Sequence, residues 1–387
     1  MTHMSTTTPH VGASINGVAA SPLRGDRPLR IAMCWHSVSG YMSACWKALA
    51  ADPGVELLVC TQHPSSSGDA PFDPRLVEGV RTVMIEPERM NDPGALAGPV
   101  AEFGPDVLVI GGWFVPAFNA LAREPRLAGV PRILAIDRPR ETLLKDWSHK
   151  LRRRSYLRRF DRVFVTGERC WQFARFLGFA DAQIRRGTYG VDFDGLAPLL
   201  DARLDRPGGW PRSFLYMGRY APVKGIDILL EAYARYRSRV AHPWPLTTCG
   251  AGEQKGMLAR AAGVQDLGFV QPAGQKDVLA AAGVFVMPSR FDPWPLVIVE
   301  SCAAGLPVLC SSACGSAVEL VRSYANGLVR PTGDAGALAS GMCWMHANAD
   351  RLPAMGTQSR AMAAPYSAGV WAIRWREACA ELAGPRA

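Results

Sequence analysis

Pro288–Pro307 reads PSRFDPWPLVIVESCAAGLP, directly after the apolar run Val284–Met287. That run has the length and composition of a short buried strand ending at Pro288. Asp292 before Pro293 has the form of an N-cap acid followed by a proline at the first helical position, so a helix is expected to start there. From Leu296 to Leu306 the chain is apolar on nearly every face except at Glu300 and Ser301. A carboxylate in such surroundings is unfavourable unless partners satisfy it. One explanation makes Asp292 a cap and Glu300 a buried acid bonded to backbone amides or an arginine. The other sets both acids at a crevice beyond the carboxyl end of a strand, where open α/β sheets bind ligands. Eight residues apart, Asp292 would stand at the lip and Glu300 about two turns inside. Carboxylates are strong acceptors for vicinal hydroxyls, so two at different depths suit a ligand with two polyol parts. A nucleotide sugar, with a ribose at one end and a hexose at the other, has that shape.

The spacing Asp292-x7-Glu300, continued by Ala303-Ala304-Gly305-Leu306-Pro307-Val308, resembles the E-x7-E and G-x-P-V pattern of the retaining GT-B glycosyltransferases of family 4 (glycosyl transferases group 1). Two departures stand out. Asp292 replaces the first glutamate and is one methylene shorter. Pro293 and Pro295 stand where the family often has glycine; they remove two backbone N–H groups and leave those of Trp294 and Leu296 for a ligand.

Working outward, 387 residues suit two domains of about 150–200 each. Composition is 48% hydrophobic and 20% charged, which excludes disorder and a coiled coil. No apolar run reaches the length of a spanning helix. The N-terminal stretch is polar and rich in small residues, without a secretory signal. Ten cysteines lie scattered, with no C-x-x-C pair, and read as reduced packing residues of a cytosolic protein. Seven histidines show no ligand spacing, so no metal and no cofactor is expected. The net charge of +9 suits an anionic partner. Nucleic acid is excluded as that partner, since no helix-turn-helix, zinc finger or RNA-recognition strand accompanies the charge.

In the first half, Leu29–Trp35, Val55–Cys60, Thr82–Ile85, Val107–Ile110, Ile133–Ile136 and Val163–Val165 read as strands. The helix-length segments between several of them argue for parallel pairing. Met42–Ala50 reads as the first helix, reached through a loop containing Ser39 and Gly40; the resemblance places Gly40 over the donor diphosphate. Asp137 ends the Ile133–Ile136 strand where the resembled family commonly has histidine, near the sugar's C6 hydroxyl and the reaction centre; its plainer reading is an acid paired with Arg138 or Arg140. Lys145–Arg162 holds eight basic residues against two acids. Tyr156, Phe160 and Val163 stand there at helical spacing, so a packed helix with a solvated basic face is expected. The alternative is peripheral contact with an anionic membrane. Tyr189-Gly190-Val191-Asp192 resembles the N-G-V-D signature that closes the family's first domain, and 196–209 reads as the linker.

The second half opens with the strand Phe214–Met217 and the loop Gly218-Arg219-Tyr220-Ala221-Pro222-Val223-Lys224-Gly225. An arginine and a lysine flanking a strand-to-helix turn make a competent diphosphate clamp; two solvated loop cations are the alternative. The loop resembles the family's G-R-(x)4-K-G pattern residue by residue. Gly250 and Gly252 resemble its G-x-G turn, Gly268 and Phe269 its base-stacking loop, Glu319 a recurrent acid, and Asn326-Gly327 its N-G turn. Val370–Leu382 reads as an amphipathic helix of the kind that returns to the first domain.

The resemblance implies an α/β fold of GT-B type: two Rossmann-like domains facing across a cleft. The expected boundaries are a flexible tail over 1–27, an acceptor-side domain over 28–195, a linker over 196–209, a nucleotide-sugar domain over 210–365 and a returning helix over 366–387. Arg219 and Lys224 would neutralise the diphosphate and Glu300 would hold the ribose. Asp292 would meet the transferred sugar, and the N–H groups of Trp294 and Leu296 remain for a phosphate or sugar of the donor. The implied activity is metal-independent, retaining transfer of a sugar from a nucleotide-diphosphate donor to a hydroxyl on a glycan or lipid-linked acceptor, in the cytoplasm or at the inner membrane face. A non-catalytic sugar-nucleotide binder and a GT-B epimerase are the alternatives.

Overall fold

The computed structural model describes residues 27–64 and 72–384. The tail expected over 1–27 lies, Arg27 apart, outside the described residues. Among the described residues, thirteen strands form two sheets. In the first, β1 (Leu29–Trp35), β2 (Val55–Gln62), β3 (Thr82–Ile85), β4 (Val107–Gly111), β5 (Arg132–Ile136), β6 (Arg162–Val165) and β7 (Ile184–Arg186) lie in the order β3-β2-β1-β4-β5-β6-β7. In the second, β8 (Phe214–Met217), β9 (Leu246–Cys249), β10 (Val264–Asp266), β11 (Val284–Met287), β12 (Val308–Ser311) and β13 (Gly327–Arg330) lie in the order β10-β9-β8-β11-β12-β13. Every pairing is parallel. Sheets of this kind are covered on both faces, which is why their strands read as unbroken apolar runs rather than as alternation. The strand order reverses between β1 and β4 in one sheet and between β8 and β11 in the other. Each reversal opens a crevice beyond the carboxyl ends of the strands.

Three sequence expectations are corrected in detail. The helix after β11 spans Leu296–Ala303 with Pro295 at its N-cap, so Asp292 is not its cap. Pro295 disfavours the helical region at Trp294, and the helix begins only after this second proline. Asp292 instead forms an isolated bridge with Cys314 and accepts the N–H of Gly315 on its carbonyl. The basic helix spans Leu143–Leu157; Phe160 lies beyond it and Val163 is in β6, although both are buried. Asp137 is not the partner of its neighbouring arginines, because Arg138 pairs with Glu141 and Arg140 with Asp146.

The stretch 196–209, expected to link the domains, contains the helix Pro198–Leu204. Arg203 on that helix is buried and donates to the carbonyls of Ala282, Ala304 and Leu279 at 3.1, 2.8 and 2.7 Å. Its guanidinium thereby closes carbonyls at the ends of two helices of the second domain. The final helix, Ala368–Ala383, packs on the helix Gly40–Ala50 of the first domain. Trp371 and Trp375 are its anchors. Both are fully buried, their indole N–H groups reach the carbonyls of Thr188 and Gly187, and Trp375 stacks on Phe164 with centroids 3.9 Å apart.

Arg203→Leu is expected to lower the unfolding free energy by about 3 kcal/mol, since several buried carbonyls lose their donor at once. Urea denaturation of the variant beside the parent checks this.

Candidate functional site

Glycines let the site close. A Cβ on Gly250 would collide with the carbonyl oxygen of Gly218, and one on Gly225 would lie 2.5 Å from that of Pro288. Gly225 also has φ +73°, in the left-handed region where a side chain strains the backbone. The loops after β8, β9 and β11 therefore approach one another at backbone distance. Lys224 is carried against the segment after β11, where its Nζ donates to Asp292 Oδ2 at 2.5 Å. Gly250 N–H donates to the carbonyl of Gly268, whose own N–H is held by Asp266.

These loops wall a cavity of about 280 Å3, to which the first domain adds Gly40, Tyr41 and Phe72. Ten of the residues singled out from the sequence line it: Gly40, Gly218, Arg219, Lys224, Gly250, Phe269, Asp292, Trp294, Leu296 and Glu300. Gly252 and Gly268 do not; they support the turn behind it. No side chain caps the helix Leu296–Ala303, and its first residues line the cavity. The positive end of a helix dipole there favours an anion.

Both acids line the one cavity, and Asp292 does not stand at an exposed lip. Asp292, placed at the lip by its spacing, is only 6% exposed beneath Lys224, whereas Glu300 is half-buried and opens into the cavity. Protein surrounds the Glu300 carboxyl on its other sides, and burial, with the charge of Asp192 second, pushes its pKa up to about 7.

Asp137 is set apart. It lines a neighbouring cavity of about 310 Å3 with Trp35, His36, Trp113, Phe114, Arg138 and Tyr189, at the carboxyl ends of β1, β4 and β5. Tyr189 Oη donates to Asp137 Oδ2 at 3.0 Å. The carboxylate is open to the cavity yet enclosed by its walls. That enclosure raises its pKa, while the tyrosine hydrogen bond opposes the rise.

Tyr41, not singled out from the sequence, is the one residue shared by both cavities. Burial pushes its hydroxyl up to about 12, with the charges of Glu300 and Asp137 adding to the rise. Its ring meets Tyr189 edge-on at 5.8 Å. Phe72 was also missed; its ring stands edge-on to Phe269 at 5.5 Å, across the gap between the domains. Tyr41 had a signal, since it follows Gly40 at a helix start beyond the first strand. Phe72 had none, because nothing local marks which loop will reach across.

Residues 211–348 match the family model described as glycosyl transferases group 1. An uncharacterized glycosyltransferase of Methanocaldococcus jannaschii is 32% identical over 174 residues, 43% of this chain and 40% of that protein. A lipopolysaccharide core biosynthesis glycosyltransferase of Rhizobium meliloti is 38% identical over 141 residues, 35% of this chain and 39% of that protein. These matches thus span about two fifths of the relatives' own length. Among solved structures, sucrose-phosphate synthase from Thermosynechococcus elongatus superimposes with a TM-score of 0.69 at 19% identity, over 90% of this chain and 98% of that one. Anabaena HepE in complex with UDP and glucose gives 0.68 at 17% identity, over 90% and 99%. The chain has the GT-B fold, and its second domain carries the sequence pattern of group 1.

The raised pKa of Glu300 has a sign that can be tested in the empty protein. Its folded-state value lies above the ordinary carboxylate range, so the stability penalty is absent at low pH. It grows from about pH 4.5 and is complete above about 7. Glu300→Gln should therefore raise stability relative to the parent by up to about 2 kcal/mol at pH 8 and by almost nothing at pH 4.5. Melting curves of both proteins across that range decide it; a constant offset would assign Glu300 an ordinary pKa.

Proposed function

We propose that this protein is a retaining glycosyltransferase that moves a sugar from a nucleoside-diphosphate donor to a hydroxyl acceptor. The observation that carries the reading is the convergence of Arg219, Lys224, the uncapped start of the 296–303 helix and Glu300 around one cavity at the strand-order reversal of the second sheet. Cations and a helix N-terminus suit a diphosphate, and a carboxylate suits a ribose diol. UDP in a protein of the same fold is consistent with this.

In this reading Arg219 and Lys224 neutralise the diphosphate and the charge it gains as the glycosidic bond breaks. Glu300 accepts from the ribose hydroxyls, with Phe269 beside the base and Gly268 in the turn that supports it. Asp292 and the N–H groups of Trp294 and Leu296 serve the transferred sugar, and Gly40 covers the diphosphate. The acceptor enters the Asp137 cavity, so the two substrates meet at Tyr41. Asp137 takes a hydrogen bond from a sugar or acceptor hydroxyl. The leaving phosphate receives the acceptor's proton on the same face from which it departs, and the anomeric configuration is kept. Acceptors of glycan, lipopolysaccharide or glycolipid type fit the relatives. Ten free cysteines, nine of them buried, favour a reducing compartment, and we place the protein in the cytoplasm.

Arg219→Ala and Lys224→Ala are each expected to lower transfer at least about a hundredfold. Their stabilities should part: Lys224→Ala strands the Asp292 carboxylate, so its melting point falls, and adding Asp292→Asn recovers part of the loss. Transfer rates and melting curves of the three variants check both statements. Because protein cations meet the diphosphate, transfer should survive EDTA; loss in EDTA with rescue by Mg²⁺ or Mn²⁺ would replace this mechanism with a metal-assisted one.

Glu300→Gln should weaken binding of both the bare nucleoside diphosphate and the intact donor, since both contain the ribose. Asp292→Asn should keep affinity for the bare diphosphate while lowering transfer. Titration calorimetry with each ligand decides it, and the reverse pattern would exchange the two roles. Turnover with a panel of donors separates a transferase from a non-catalytic binder; release of free nucleotide only with acceptor present separates it from an epimerase.

A further inference from the structure

The helix Leu143–Leu157 turns Asp146, Tyr156 and Leu157 inward. His149 and Arg153 meet the ring of Trp113, at 5.9 Å between ring centroids and at 5.4 Å from the guanidinium carbon. Trp113 is a wall of the Asp137 cavity, so this helix stands at that cavity's side. Its outward face has two features that solvent alone does not explain. Leu144, Leu151 and Trp147 are 86, 65 and 48% exposed, with Leu143 beside them. At 3.6 residues per turn Arg154 and Arg158 continue the same stripe, while half-buried Lys150 holds its Nζ over the rings of Trp147 and Phe176. Among the described residues, no carboxylate pairs with Lys150, Arg152, Arg154, Arg158 or Arg159. Unpaired like charges four residues apart disfavour a helix in water, and exposed leucines gain nothing there. An apolar patch running into an unpaired cationic one is the pattern of a helix lying at a bilayer interface. Phe114, also exposed, stands on the rim of the Asp137 cavity. A second copy of the chain is a poor occupant, because two such faces would bring their cations together.

We propose that this face docks on an anionic lipid bilayer. Leu143, Leu144 and Leu151 enter the acyl boundary, beside the outer edge of Trp147, which packs on Phe176, while Arg154 and Arg158 meet lipid phosphates. The Asp137 cavity then opens beside the membrane surface and takes a hydroxyl acceptor carried by a lipid. The docking stands on the helix face alone; its consequence for the acceptor rests on the transferase reading above.

Co-sedimentation with phosphatidylglycerol and with phosphatidylcholine vesicles tests it, with no donor or acceptor present. Binding to phosphatidylglycerol should be at least about tenfold tighter and should weaken with salt. Leu144→Ser with Leu151→Ser should reduce it at least about tenfold while leaving the melting point unchanged. Arg154→Gln with Arg158→Gln should remove the preference for phosphatidylglycerol and most of the salt dependence. Equal binding to the two lipids, no binding at low salt, or a leucine variant that binds like the parent overturns the proposal. So does a dimer in solution that the leucine variant dissociates, which would give the face to a second copy. Vesicle binding without transfer to any lipid-borne hydroxyl would keep the docking and refute the acceptor reading.

Discussion

The ion pair between Lys224 and Asp292 joins the two loops that flank the strand-order reversal of the second sheet. One follows β8 and the other follows β11, and the two are 68 residues apart in sequence. The pair is largely shielded from water, with side chains 15% and 7% exposed, so neither charge is affordable without the other. Around it the order of close approaches is fixed. Gly225 sits against the Pro288 carbonyl, Gly250 against Gly218, and the carbonyl of Asp292 accepts from Gly315. Remove the attraction and the cavity loses the contact that holds two of its walling loops together.

The wall also belongs to the seam between the domains. Trp294, two residues after Asp292, lines the cavity and at the same time packs on Gly167 of the first domain and on Tyr366. Beside it Glu319 accepts the N–H of Glu168 at 2.7 Å, at the start of the helix Glu168–Leu177. Its other carboxylate oxygen is buried without a partner, and burial raises its pKa. A carboxylate at a helix N-terminus is favourable, but only while the domains stay together. Any change of domain angle is therefore felt at Trp294, inside the cavity wall.

The sheets were legible because their strands are buried on both faces, and unbroken apolar runs such as Val107–Ile110 and Val284–Met287 have few other uses. The second-domain site was legible because its parts lie at loop ends next to those strands, where glycines and charges stand out against an apolar background. What failed was local. Asp292 looked like a cap because a proline follows it, yet the second proline at 295 decides where the helix starts. Phe160 and Val163 kept helical spacing by coincidence, since burial in a turn and in a strand also demands apolar residues. Tyr41 and Phe72 act through contacts between elements far apart in sequence, which no local pattern records. Tyr189 was seen as part of a domain-closing signature, but not as the hydrogen-bond donor to Asp137, which depends on β5 and the chain after β7 ending side by side.

The two cavities divide one problem. In the proposed transfer a leaving diphosphate needs positive charge, and Arg219, Lys224 and a helix end line the second domain's cavity. An acceptor hydroxyl needs the opposite, and in the same proposal Asp137, open to its own cavity and held by Tyr189, would accept from it. On one sheet such charges do pair, as Lys224 and Asp292 show. Asp137 lines the other domain's cavity, with Tyr41 between the two, and its hydrogen-bond donor is a tyrosine instead of a cation. Glu300 shares its cavity with Arg219 and Lys224, yet the perturbations on its carboxyl are burial and the acid Asp192, not a cation. An acid left without a protein cation remains available to ligand hydroxyls, and the lost stability is the physical counterpart of that availability.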